Sequence, residues 1–118
     1  MTREEFLNNV KNAIVNFETV KKIENKYKCT LPEQVKKILS VSESQLFFDE
    51  ERRLLSTNEI ENATEQLHVD FIQKGIIPII DAYENDFISY NFKSKKWCFF
   101  NLNDGSIFSE DTSLESIL

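Results

Sequence analysis

The chain has 118 residues, of which 41% are hydrophobic, 29% charged and 12% aromatic, with a net charge of −6. That is enough chain for one domain to bury a core without metal or disulfide staples. Two glycines and one histidine exclude the usual Gly-rich phosphate loops and the usual three- or four-ligand zinc sets.

Other exclusions follow from placement. The longest apolar run, Ile76–Ile80, is interrupted by Pro78 and falls far short of the roughly 20 residues a spanning helix needs. The opening MTREEFLNNVKN lacks the apolar segment of a signal peptide. Cys29 and Cys98 are widely spaced and fit two free thiols, so a cytoplasmic protein with no membrane association is expected. Charge is uneven. Residues 1–40 carry eight Lys/Arg against five Asp/Glu, and residues 41–118 carry six against fifteen. Acidity argues against nucleic acid, which needs clustered Lys/Arg, and suits a basic protein partner.

The chain opens on helices. Thr2-Arg3-Glu4-Glu5 has capping-box spacing, and Phe6, Leu7, Val10, Ala13, Ile14 and Phe17 form an apolar stripe. Val20, Ile23 and Tyr27 extend it to about Lys28, as one helix or as two with a break near Phe17–Thr19. In CTLPEQVKKIL, Pro32 suits a first turn and Glu33 the positive dipole end, with Val35, Ile38 and Leu39 as the buried face.

Gln45–Phe48 and Arg53–Leu55 read as short β runs around Asp49-Glu50-Glu51-Arg52. Ser56-Thr57-Asn58-Glu59 is a capping box opening one helix through Ile60, Ala63 and Leu67 that ends before Gly75. From Ile76 the period is two. Ile76–Ala82 is a strand with Pro78 at an edge or bulge, Tyr83–Asp86 a turn, and Phe87–Phe92 a strand in which Ile88, Tyr90 and Phe92 share a face. Lys93–Lys96 is a basic turn, Trp97–Leu102 a strand, and Asn103-Asp104-Gly105 a hairpin leading into Ser106–Phe108. Thr112-Ser113-Leu114-Glu115 caps a last short helix. The expected fold is α+β: N-terminal helices, then an antiparallel meander with one intervening helix and a short C-terminal helix, as a single domain over residues 1–118.

Chemistry-bearing residues are sparse. His68 stands alone on a predicted helix surface, so neither a metal set nor a Ser–His–Asp triad assembles around it. Cys98, in WCFF, reads as a buried and inert thiol. Lys93, Lys95 and Lys96 beside Trp97 read as a solvated loop rather than a nucleic-acid contact. Asp81, Glu84 and Asp86 admit three readings: an acid–base pair with a helper, a metal site, or only the polar end of a hairpin, and as turn carboxylates they read first as the last of these.

In order and spacing, four segments resemble the SMI1/KNR4 (SUKH) superfamily: IENKYKCTLPEQVKKIL, RLLSTNEIENA, GIIPII with ENDFISYNF, and TSLESIL. The resemblance runs from about Phe17 to Leu118. Val41-Ser42-Glu43-Ser44 stands where the family usually has an Asn-Gly-type turn, and Asn85-Asp86 replaces the commoner Gly-Asp. The resemblance implies an α+β domain without catalysis, cofactor or metal. Many bacterial members are immunity proteins that neutralise a cognate polymorphic toxin, often a nuclease or deaminase, and fungal relatives are interaction scaffolds. The expectation is therefore a non-catalytic domain that meets a basic toxin through acidic side chains. Candidate contacts are Asp49, Glu50 and Glu51 on one loop and Asp81, Glu84 and Asp86 on the hairpin, with Tyr83 as aromatic anchor. The alternative is an interaction or regulatory module with no toxin partner.

Overall fold

The computed structural model describes residues 1–41 and 52–118. Three helices come first: α1 (Arg3–Lys11), α2 (Phe17–Tyr27) and α3 (Glu33–Val41). Then follow β1 (Arg53–Leu54), the short helices α4 (Thr57–Glu61), α5 (Ala63–Leu67) and α6 (Phe71–Lys74), and β2 (Ile76–Asp81), β3 (Asp86–Asn91), β4 (Lys96–Asn101) and β5 (Ile107–Asp111). A last turn of helix, α7 (Leu114–Ile117), closes the chain. The strands form an antiparallel sheet in the order β1-β2-β3-β4-β5. The α+β meander read from the sequence is the fold; the predicted run Gln45–Phe48 lies outside the described residues.

The N-terminal stripe does not continue as one face. Thr2 Oγ1 accepts from the Glu5 amide at 3.1 Å and starts α1, which stops at the cap Asn12. Asn16 begins α2 by accepting from the Thr19 amide at 3.2 Å, while its own amide donates to Ser40 Oγ at 2.8 Å. The break therefore lies at residues 12–16, earlier than Phe17–Thr19. A side-chain cap tied to α3 supplies hydrogen bonds that a continuous helix would have made itself. Phe6 and Val10 reach the core, but Ile14 and Phe17 are 91% and 75% exposed, which corrects their place in the buried stripe.

The single helix expected after Ser56 is three. Ser56 and Glu59 close both arms of the capping box, but Asn62 ends α4, and His68 ends α5 in the left-handed conformation at φ 58°. Asp70 then recaps the chain by accepting from the Gln73 amide at 3.1 Å, and Gly75 ends α6 at φ 78°. His68 is thus an exposed residue past a helix end rather than on its surface. The C-terminal cap is also one residue later than expected: Ser113, not Thr112, accepts from the Ser116 amide at 3.4 Å.

The strands are more buried than a period of two implies. Ile76–Ile80 and Phe87–Asn91 are buried throughout, because helices cover both faces of the central sheet. Phe100 meets Phe71 of α6 edge-on at 5.4 Å. Trp97, three residues earlier and so on the opposite face, donates its indole N–H to Gln34 Oε1 of α3 at 3.4 Å and packs edge-on against Tyr90 at 5.6 Å. Ile88 and Tyr90 share a face as expected; Phe92 lies past the end of β3 and meets Tyr27 at 6.5 Å. The register slips between Pro78 and Ile80, so the proline occupies a bulge, which needs no ladder donor from it. Tyr27 ties α2 to α4 by donating from its hydroxyl to the Ile60 carbonyl at 2.7 Å.

Candidate functional site

The β2–β3 hairpin is built from apolar residues inward and polar ones at its free end. Ile76–Ile80 and Phe87–Ile88 anchor both arms in the core. Between them, the Asp86 amide donates to the Tyr83 carbonyl at 3.1 Å, and Glu84 and Asn85 both take positive φ, 55° and 67°. Positive φ at both central positions is what a type I′ hairpin turn requires. Asn tolerates it well, whereas Glu at the first of the two positions is a strained choice. The turn is held from the side: the Leu102 amide donates to the Asn85 carbonyl at 2.9 Å, and Asn101 Nδ2 donates to Asp86 Oδ1 at 2.7 Å. A rigid tip results, with Tyr83 59% exposed beside the exposed Glu84.

The three carboxylates singled out from the sequence have separate surroundings. Asp81, at the end of β2, faces Arg53 with Nη2 and Oδ2 4.0 Å apart. Burial pushes its carboxyl upward, with Arg53 opposing and the Glu59 charge adding to the rise. Asp86 is half-buried and accepts from Asn101. Glu84 stands on the exposed turn. Asp49, Glu50 and Glu51 lie outside the described residues.

Two residues the sequence reading passed over organise the base of the hairpin. Arg53 on β1 holds both oxygens of Glu59 on α4, at 2.6 and 2.8 Å. Glu59 Oε1 also accepts from the Ser56 amide at 3.0 Å. The Arg53 hydrogen bonds are the main cause that pulls the Glu59 carboxyl down to about 2; burial opposes them. The capping-box pattern located Glu59, but nothing local joined it to Arg53. β1 running antiparallel to β2 places Arg53 opposite Asp81, so the guanidinium that holds Glu59 also faces that carboxylate.

Both cysteines are free. Cys98 is buried, with its thiol pushed up to about 12, first by burial and then by the Glu110 charge. Among the described residues, no group of three or more His, Cys, Asp or Glu could hold a metal ion, and no helix is long and apolar enough to cross a membrane. What the arrangement can do chemically is present charge and one aromatic ring on a stiff turn.

These features define an α+β domain in which helices enclose a five-stranded meander and a polar hairpin end faces outward. The SMI1 / KNR4 family (SUKH-1) matches residues 14–118, and the chain belongs to that family. The match omits α1 and takes in every other element, including the hairpin. Comparison with curated proteins and with solved structures gives no match.

Proposed function

We propose that this chain is a non-catalytic protein-binding domain, an immunity protein that binds and neutralises a cognate bacterial polymorphic toxin of the nuclease or deaminase type. Family membership supports the class of function. The observation that carries the surface is the hairpin tip, where an aromatic side chain is exposed beside a carboxylate on a turn pinned to β4. An aromatic side chain, with only two side-chain torsions and carried on a pinned turn, gives contact area at little entropic cost, the property of an interface anchor. Glu84 and Asp86 follow it in the turn, and Asp49, Glu50 and Glu51, which lie outside the described residues, are the further acidic candidates. Asp81 contributes less charge in this reading, because Arg53 already faces it. A net charge of −6 speeds the approach of a basic active-site groove, which the bound domain then occludes.

Stopped-flow association with candidate nuclease and deaminase toxin domains tests the reading. The association rate should fall about tenfold or more between low and high salt, and Tyr83→Ala should weaken binding by about 30-fold. A salt-insensitive rate together with unchanged affinity in Tyr83→Ala would remove this surface. An interaction module without a toxin partner would show no binding at all.

A further inference from the structure

The end of α2 and the β3–β4 turn border an open cleft of about 530 Å³, away from the acidic hairpin tip and at the other end of β3. Its volume is that of a small-ligand site. Cys29, Leu31, Phe92 and Tyr90 supply an apolar and aromatic lining, and Lys28 and Lys95 line it with cationic chains. Burial and the Glu24 charge push the Cys29 thiol up to about 11, so at neutral pH it is an uncharged part of that lining.

Three polar groups here lack partners. Lysines nearby are engaged: Lys26 pairs with Glu65 at 2.7 Å, and Lys93 Nζ donates to the Gln73 carbonyl at 2.6 Å. The Lys28 and Lys95 ammonium groups make no ion pair or side-chain hydrogen bond among the described residues. Both residues sit at positive φ, 56° and 61°, where glycine would suit the backbone better and would bring no charge. Tyr90 is only 4% exposed, yet its hydroxyl has no hydrogen-bond partner among the described residues. The hydroxyl is not sealed from solvent, and as part of the cleft lining it is free to donate to a ligand there.

We propose that this cleft is a binding site for a small aromatic carboxylate. The ring lies against Phe92 and Leu31, the carboxylate accepts from the Tyr90 hydroxyl, and Lys28 and Lys95 neutralise it. The site is independent of the toxin-binding reading: it uses another end of the sheet and the opposite sign of charge.

The test is an amide-resolved NMR titration of the full chain with 2-naphthoate, using 2-naphthalenemethanol as the neutral control. Saturable one-to-one binding is expected, with shifts concentrated at residues 28–32 and 90–95. Replacing both lysines, Lys28→Gln with Lys95→Gln, should weaken it about tenfold. Tyr90→Phe, which keeps the ring packed on Trp97 and removes only the hydroxyl, should weaken it about threefold. Non-saturable shifts, equal binding of the alcohol, or undiminished binding by the folded double variant would overturn the proposal.

Discussion

Replacing Glu59 by glutamine should flatten the acid limb of the stability curve. The carboxyl is held at about 2 against an ordinary 4.5. A group depressed by folding stabilises the fold above its unfolded pKa, and that contribution is lost as pH falls toward the folded value. At about 1.4 kcal/mol per pH unit, the upper bound is roughly 3 kcal/mol. The pair is partly solvent-exposed, 27% for Arg53 and 30% for Glu59, so screening reduces the expectation to about 1–2 kcal/mol. Urea unfolding followed by circular dichroism, at intervals from pH 7 to pH 2.5, measures it. The parent chain should lose that amount between about pH 4.5 and pH 2.5 beyond what Glu59→Gln loses, and the variant should start lower at pH 7. Asp81 is pushed in the opposite direction, chiefly by burial; Glu59→Gln removes only the part of that rise that the Glu59 charge causes, so its smaller contribution of opposite sign cancels in part. Parallel curves for the two proteins would refute the pairing energetics.

Other substitutions probe the frame that holds the hairpin. Phe71→Ala removes a fully buried ring set edge-on against Phe100 and should cost about 3–5 kcal/mol in denaturant unfolding. Tyr27→Phe leaves the Ile60 carbonyl without its 2.7 Å donor and should cost about 1–2 kcal/mol by the same measurement, with the fold retained. Gly75→Ala must hold a side chain at φ 78° with its Cβ 2.5 Å from Lys93 Cδ. It should cost about 1–2 kcal/mol, seen as a lowered melting temperature.

Legibility followed the range of the interactions. Capping at Thr2 and Ser56, the Asn103–Gly105 turn and the proline bulge are settled by neighbours in sequence, so the chain announces them. Asn101 shows how local the turn is: its side chain accepts from the Asn103 and Asp104 amides, at 2.9 and 3.2 Å. The break at residues 12–16 was misplaced because its cap leans on Ser40, 24 residues away. Burial on both faces of β2 and β3 was likewise invisible to a two-residue period, since it depends on where α3 and α6 dock. For the candidate site, the hairpin and its exposed Tyr83 were legible. The approach of Arg53, already holding Glu59, to Asp81 was not, because it arises from the pairing of β1 with β2.

The most direct measurement is survival of cells expressing candidate nuclease and deaminase toxins, each with and without this chain. The account predicts full protection by the parent protein, and its loss when Tyr83→Ala and Glu84→Lys are combined in a variant that keeps the parent's melting temperature. Killing unchanged by the parent chain would contradict the immunity role, and full protection by the double variant would contradict the hairpin as its contact surface.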